Sequence, residues 1–515
     1  MISDKLKKAR EYEEREEQMV PQEVRPTYHF SPRVGWLNDP NGFSFYGGKY
    51  HLFYQYHPYD SMWGPMHWGH AVSSDLIHWE YLPCALAPDQ PYDDKGCFSG
   101  SAITTPDGRH MLIYTGCSDD KADEKGRWKQ VQCIAYGNGT DYDKYEGNPV
   151  ITSDDLPEGG SVHEFRDPYI FSCGSGRYRA VAANANKDND GITQICLYKS
   201  EDGKHWRRES ILFEDTRKIG IMWECPSFFK LGNDYILIAS PMDMEAEEAD
   251  GSVRFPKGNN VCYIIGHFDD AAGMFIPHKY TDGEPSYHPV DSGLDFYAPQ
   301  VMTTPDGRVI MIGWMQDPEN AQKHDPSMKI FGEMTVPREL FIRQNRLCQR
   351  PVREISSLRK DRIEYSSVTI DNEKADLSGI SGRSVELFVK VRSESDDTST
   401  DKESITYNDF RLRFAENDKY YTEFSFDPLN SIVAIDRNHS VDKLNIVGSR
   451  TMKVRDRNGS INLRILIDKW SAEIFINEGE QVISTTFYTD PSADGISFRA
   501  NGKAHMSVTM YNLSK

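Results

Sequence analysis

The 515-residue chain predicts an all-β protein, a five-bladed β-propeller followed by an antiparallel β-sandwich. Three observations predict it. First, a turn rich in Gly, Asn or Asp leads into a short apolar strand five times, at Tyr50 to Tyr54, His110 to Tyr114, Tyr178 to Ala182, Tyr235 to Ala239 and Val309 to Gly313. The spacing, roughly 57 to 74 residues, suits four strands per unit with their loops. Second, Ser74-Asp75-Leu76-Ile77-His78-Trp79 is echoed by Ser200-Glu201-Asp202-Gly203-Lys204-His205-Trp206. Third, beyond residue 340 the dense punctuation gives way to longer strands that alternate apolar and polar residues. A sandwich throughout would give no reason for one hairpin repeated five times.

Composition narrows the function. The formal net charge of −20 argues against a surface that tracks nucleic-acid phosphates. The aromatic share of 12% is generous, and carbohydrate sites use aromatic rings as platforms for sugar faces. No apolar run reaches about 18 residues, so no membrane span is expected. The densely charged start, Met1 to Glu17, does not resemble a secretory signal. Nine scattered cysteines without a close Cys-x-x-Cys pair read as free, mostly buried thiols in a reducing compartment. The expectation is therefore a soluble cytoplasmic protein, in which the sequons at Asn138, Asn438, Asn458 and Asn512 carry little meaning.

Taken in order, residues 1–26 form an N-terminal charged segment, with a helix over 3–18 whose thin apolar stripe is Leu6, Ala9 and Tyr12. Residues 27–345 are the propeller. Residues 346–361 are a basic, irregular linker, and residues 362–515 are the sandwich. Expected sandwich strands include Val385 to Val391, Phe410 to Phe414, Tyr420 to Phe426, Leu463 to Ile467, Ala472 to Ile476, Val482 to Tyr488 and Met506 to Tyr511, with a polar insert at 393–404. The sandwich is expected to support the propeller. Its exposed edges, or the N-terminal helix, are candidate surfaces for a homodimer.

The candidate site follows from the repeat. Counting back eleven residues from the start of each second strand reaches Asp39, Ser99, Asp167, Glu224 and Ala298. Three of these five positions are acidic, and each heads a blade's first strand. First strands line the channel of a propeller, so the carboxylates converge at one mouth of the axis. Clustered, partly buried carboxylates repel one another and lose hydration, which a fold retains mainly for function. Two carboxylates flanking an acetal can cleave it, one as nucleophile, the other as acid and then base. An exposed, hydrogen-bonded Asp39 with a low pKa suits the nucleophile. Glu224, packed by Trp223 and Pro226 with a raised pKa, suits the general acid/base. Asp167, kept ionised by Arg166, suits acceptance of hydrogen bonds from ring hydroxyls. Trp63, Trp68, Phe98 and Trp314 are candidate walls, and Asn38, Gln55 and Ser99 candidate hydroxyl partners.

Six motifs in order then carry a resemblance. They are Trp36-Leu37-Asn38-Asp39-Pro40-Asn41-Gly42, Phe98-Ser99-Gly100-Ser101, Phe165-Arg166-Asp167-Pro168, Trp223-Glu224-Cys225-Pro226, Asp295-Phe296-Tyr297-Ala298 and Pro337-Arg338-Glu339-Leu340. From about residue 27 to the C-terminus the chain resembles the invertase-type family 32 glycoside hydrolases. The resemblance implies a five-bladed propeller plus β-sandwich and retaining hydrolysis of terminal β-fructofuranosides such as sucrose. It maps nucleophile, transition-state stabiliser and acid/base onto Asp39, Asp167 and Glu224, and adds Arg166 and Tyr297 to the substrate-binding set. For retention, the Asp39 and Glu224 carboxyls are expected about 5–5.5 Å apart. Gly64 to His70 and Leu82 to Asp89 look most like intracellular bacterial sucrose or sucrose-6-phosphate hydrolases. Phe331-Gly332-Glu333-Met334 departs from the pattern, since many members carry a Trp and a different polar residue there; the departure bears on the outer subsite.

Other signals fail. Asn186-Lys187-Asp188-Asn189-Asp190-Gly191 begins like a calcium loop, but its twelfth position is Leu197, not Glu. Cys225 has no assigned histidine base and reads as a packing residue. No His/Cys cluster has ligand spacing, so neither a metal nor another cofactor is expected. A phosphate on the substrate would want Lys or Arg at the rim. Lys95, Lys125 and Arg127 are loop candidates, but surface cations are too common to decide it. Fructosyl transfer and exo-hydrolysis of inulin or levan would use the same catalytic residues. A non-catalytic fructan-binding module would have lost a carboxylate, and all three are present.

Overall fold

The computed structural model describes residues 2–120, 126–186, 192–215, 219–249, 252–279, 287–393 and 405–515. Most of the calcium-like loop, Lys125 and all but the first residue of the polar insert at 393–404 lie outside the described residues.

Five four-stranded antiparallel blades follow one another around an axis. Their first and second strands are Gly35–Tyr46 with Lys49–His57, Gly96–Thr104 with His110–Ser118, Gly160–Gly174 with Arg177–Asn186, Trp223–Leu231 with Asp234–Pro241, and Tyr297–Thr303 with Val309–Trp314. The five hairpins seen in the sequence are thus the inner hairpins of five blades. In the first, Gly47 and Gly48 both have positive φ, at 57° and 83°, as a two-residue β-hairpin turn requires. Middle strands such as His67–Ser73 and Val309–Trp314 are buried along their whole length, because each blade is covered on both faces. They therefore read as unbroken runs rather than alternations.

The Ser74 and Ser200 echoes are the same turn, joining the third and fourth strands of blades one and three. Asp75 accepts hydrogen bonds from the Ile77 and His78 amides at 3.0 and 2.8 Å; Asp202 accepts from Lys204 and His205 at 2.8 and 2.9 Å. Each indole N–H closes the turn, Trp79 onto the Leu76 carbonyl and Trp206 onto the Gly203 carbonyl. Closure of the ring is not by a shared blade. Instead Ile330–Phe331, emerging from blade five, pairs in parallel with Gly35 and Trp36 of blade one.

The stretch expected to be a linker is largely structured. Arg346–Pro351 is the fourth strand of blade five, paired with Arg338–Arg343, and its Leu347, Cys348 and Gln349 are buried. Three arginines around that short apolar core disguise the strand. The sandwich begins at Arg359–Asp371, a strand hidden from sequence reasoning because only Ile370 is fully buried and most of its side chains are exposed. That strand pairs with Gly495–Leu513, which serves two sheets in turn. Residues 495–502 pair with Tyr407–Glu416, and residues 503–513 with Arg359–Asp371 and Val385–Arg392. Leu387, Phe410, Ile465, Phe498 and Val508 fill the space between the two layers.

Buried charges join sandwich to propeller. Arg338 donates to Asp291 at 2.9 Å and to Glu473 at 2.8 Å. His29 lies between Asp468 at 3.0 Å and Glu473 at 2.8 Å. Burial alone would lower its pKa, but the two carboxylates override that and push it up to about 10, so it is an imidazolium. Asp468 also accepts the Thr27, Tyr28 and His29 amides. The N-terminal helix, Asp4–Glu17, is capped by Ser3 and buries Leu6 and Ala9 against the outer strand of blade one, Trp79–Leu86. Its buried Glu13 accepts the Cys84 amide at 2.8 Å. Among the described residues no helix is long and apolar enough to cross a membrane.

Candidate active site

Each first strand is broken near its head by a β-bulge. Residues 38–39 both face Gln55, and Ser99 is unpaired between Phe98 and Gly100. The same happens at residues 167–168, 225–226 and 298–299. A bulge bends its strand and re-aims a side chain, here toward the axis. Asp167, Cys225 and Ala298 occupy the same bulge position in blades three to five, each with positive φ, at 65°, 49° and 47°. This corrects the eleven-residue count by one position in blade four, and also in blade one, where Asn38 rather than Asp39 has the register of Asp167. Glu224 is the register equivalent of Arg166 and Tyr297, not of Asp167. The slip arises because blade four closes its inner hairpin with the two-residue turn 232–233 alone, whereas blade three carries an additional bulge at Cys173 and blade five a longer turn at 304–308.

That correction explains a contact. Three equivalent side chains from consecutive blades meet: Arg166 Nε donates to Glu224 Oε1 at 3.0 Å, and Tyr297 OH donates to Glu224 Oε2 at 2.7 Å. Arg166 is itself held by Glu164 at 2.6 Å and Gln130 at 3.3 Å.

Asp39 is held from three sides. Ser99 Oγ donates to its Oδ2 at 2.7 Å and Asn38 Nδ2 to its Oδ1 at 3.0 Å. The Trp36 indole donates to Asn38 Oδ1 at 2.7 Å, which fixes the amide so that its NH2 faces Asp39. Cys225 Sγ lies 3.5 Å from Asp39 Oδ2 and 3.6 Å from Asp167 Oδ2. The Cys225 amide donates to Asp167 Oδ2 at 2.9 Å, and the Asp167 amide donates to Thr115 Oγ1, also at 2.9 Å.

The electrostatics differ from the sequence expectation. Asp39 is not exposed with a low pKa; burial, then repulsion from Glu224, raise it, against the bonds from Ser99, Asn38 and Cys225. Asp167 is raised to about 7, chiefly by burial, with Arg166 opposing and Glu224 and Asp39 reinforcing. The neighbouring guanidinium stands 4.0 Å away and is engaged by two other carboxylates, so it does not hold Asp167 in the ordinary ionised range. Nor is Glu224 walled by Trp223, which is wholly buried and donates to the Ile219 carbonyl. The Glu224 carboxylate instead faces a cation and a phenol. Cys225 is more than packing: burial pushes its thiol up, so it stays protonated and can donate to either aspartate.

Eleven of the twelve residues expected at the site line one cavity of about 280 Å³: Asp39, Asp167 and Glu224; Asn38, Gln55 and Ser99; Arg166 and Tyr297; Trp63, Phe98 and Trp314. Trp68 does not line it; it is buried behind, its indole on the Phe98 carbonyl. Sequence reasoning missed Trp36, Met66, Pro318 and Gln322 on the wall. Trp36 stood inside a quoted motif; the others carry no chemical signal. Glu164 and Thr115, which hold Arg166 and Asp167, were also missed, since nothing in a lone Glu or Thr marks a supporting role. Three carboxylates, one guanidinium and a phenol around a half-open cavity can hold an uncharged polyhydroxylated ring, present a nucleophile to it and exchange a proton with it.

The chain matches known proteins along almost its whole length. Residues 29–351 match the glycosyl hydrolases family 32 N-terminal domain, and residues 354–513 the family 32 C-terminal region. A sucrose-6-phosphate hydrolase of Escherichia coli is 34% identical over 479 residues, covering 92% of either chain. A raffinose invertase of Escherichia coli is 33% identical over 471 residues, covering 91% of this chain and 90% of its own. Among solved structures, a Bombyx mori GH32 beta-fructofuranosidase superposes with a TM-score of 0.81 at 30% identity, covering 99% of this chain and 98% of its own. A mutant of that enzyme has been solved in complex with sucrose.

Proposed function

The chain belongs to glycosyl hydrolase family 32, and on that premise we propose that it cleaves terminal non-reducing β-D-fructofuranosides, sucrose first among them, with retention through a covalent fructosyl–Asp39 intermediate. It is a glycoside hydrolase; the substrate, the stereochemistry and the residue roles are this proposal. The observation that carries it is the pair of differently held carboxyls in one cavity, Asp39 bound by Ser99 and Asn38, and Glu224 bound by Arg166 and Tyr297.

Asp39 attacks the anomeric carbon of the fructosyl unit while Glu224 protonates the departing glycosidic oxygen. Water then enters, gives its proton to Glu224, and displaces Asp39. The bonds from Ser99 and Asn38 favour the ionised, attacking form of Asp39 against its burial. Three carboxyls facing one engaged guanidinium repel one another, so a proton is readily kept within the cluster, which the acid step needs. Asp167 accepts hydrogen bonds from ring hydroxyls, and these strengthen as positive charge develops on the ring. A cytoplasmic setting belongs to the same proposal, supported by nine cysteines without a disulfide among them.

The test is fructose and glucose release from sucrose by wild type, Asp39→Ala and Glu224→Ala. Release by wild type and a loss of at least about 10³-fold in both variants is expected. Sucrose-6-phosphate, inulin and levan, assayed beside it, define the preferred aglycone. Full activity in Asp39→Ala would overturn the assignment of roles.

A further inference from the structure

Among the described residues, Arg166 is the one cation bonded to Glu224, and Glu224 does not have it alone. Arg166 Nε donates to Glu224 Oε1 at 3.0 Å, while Nη1 donates to Glu164 Oε2 at 2.6 Å. Glu164 accepts in turn from Arg127 Nη1, at 3.2 Å, through its other oxygen. Glu164 and Arg166 stand two apart on the strand Gly160–Gly174, so their side chains leave the same face, with Phe165 between them buried in the core. Gln130 fixes the pair by accepting both the Phe165 amide, at 2.7 Å, and Arg166 Nη1, at 3.3 Å. The result is a row of alternating charge, Arg127, Glu164, Arg166 and Glu224, that ends in the Tyr297 hydroxyl.

We infer that Glu164 is a positioning residue for the acid step: it engages a second nitrogen of the Arg166 guanidinium and shares its charge, so that Glu224 can keep the proton it gives to the departing oxygen. The inference rests on the reading of Glu224 as general acid. A carboxyl beside a full positive charge holds its proton poorly. Arg166 is always charged: burial opposes the charge, but Glu224, Glu164 and Asp167 outweigh it. With Glu164 in place that charge is divided between two bonded carboxylates, with Asp167 at 4.0 Å. Without Glu164 the guanidinium would turn most of its charge on Glu224. The other groups that face Glu224 stay as they are. Asp39 and Asp167 repel it, the Cys225 thiol stays protonated, and the Tyr297 phenol, kept protonated by its burial and by Glu224, donates to Oε2. A purely structural role is a poor account of Glu164, because its side chain is 24% exposed and pairs reached by solvent add little stability.

The test is the pH profile of kcat/KM for sucrose and for p-nitrophenyl β-D-fructofuranoside, whose leaving group departs without a proton. In the wild type the basic limb should be present with sucrose and flatten with the aryl fructoside. The same limb with both substrates would refute the reading of Glu224 as acid, and this inference with it. Given that difference, Glu164→Gln, which keeps an acceptor for Arg166 but loses the charge, should move the sucrose limb to lower pH by on the order of one unit. Glu164→Asp, which restores the charge, should return the limb toward its wild-type position. Arg127→Gln should move it the opposite way by a smaller amount, since the Arg127 side chain is 39% exposed. A sucrose limb unmoved in Glu164→Gln, or moved equally by Glu164→Asp, would overturn the inference with the acid role intact. If Glu164→Gln does not fold, a limb unmoved or moved downward in Arg127→Gln overturns it instead.

Discussion

Replacing Asp167 by Asn should make the protein more stable and nearly inactive at once. The side chain keeps its size, and Asn Oδ1 can still accept the Cys225 amide that now reaches Asp167 Oδ2 at 2.9 Å. What disappears is a buried negative charge facing Asp39 and Glu224. The carboxyl is raised from 3.8 to about 7. Its folded-state pKa therefore lies above that of the unfolded chain. The folded protein holds the proton more tightly, and stability contributed by protonated Asp167 is lost as pH rises from about 4 through about 7. A shift of about 3 units at 1.36 kcal/mol each is ~4 kcal/mol by pH 8. Unfolding entropy of about 2.1 cal/mol/K per residue, over a chain of 515, converts this to a rise in Tm of ~4 °C. The assay is thermal unfolding of wild type and Asp167→Asn side by side at pH 4.5 and pH 8, with sucrose hydrolysis measured on the same samples. Expected is a gain at pH 8 that largely vanishes at pH 4.5, and a drop in kcat on the order of 10²- to 10³-fold. A variant no more stable than wild type at pH 8, or one whose gain is the same at both pH values, would refute the reasoning.

Three further outcomes follow from the described contacts. Ser99→Ala removes a bond that favours ionised Asp39. The acidic limb of kcat/KM should therefore move to higher pH, seen in a pH–rate profile from pH 4 to 8. Tyr297→Phe deletes the 2.7 Å bond to Glu224 and should lower kcat about 10- to 100-fold with the fold intact, as steady-state kinetics and circular dichroism together would report. His29 has its pKa raised to about 10, so its contribution to stability is complete below about 6.5 and is lost as pH rises through about 10. Wild type should lose stability over that window in denaturant titrations, and His29→Gln should be less stable at pH 6 with a flatter profile.

Much of this was legible in the sequence, because the propeller repeats. Glycine-punctuated hairpins and the two Asp-His-Trp turns recur as short-range signals, and the acidic strand heads keep a fixed distance from them. Glu224 shows the limit of such counting. Blade four's inner hairpin is one residue shorter than those of blades three and five, and only the ladder reveals that Glu224 matches Arg166 and Tyr297. The reversed environments of Asp39 and Glu224 were illegible for a related reason. Neighbours in sequence, Trp223 and Pro226, say little about which face of a bulge a carboxyl takes. Strands at Arg346–Pro351 and Arg359–Asp371 escaped because charged residues on exposed edges look like linker.

The strap at Ile330–Phe331 and the Asp468 cap on residues 27–29 set an order on biosynthesis. Asp39 leaves the ribosome well before its partners: the strand that carries it gains its last inner neighbour only when residue 331 has emerged, and the amides just before it are capped only when residue 468 has. Blade one must therefore wait, with its inner edge open, until blades two to four and the first hairpin of blade five have been made. Such an edge is an invitation to pair with another nascent chain. A gene fragment ending after blade five would encode all three carboxylates yet leave Arg338 and His29 without Glu473. Shuffling propellers and sandwiches between relatives is thus constrained less by the linker than by a handful of charges that each half leaves exposed until the other arrives.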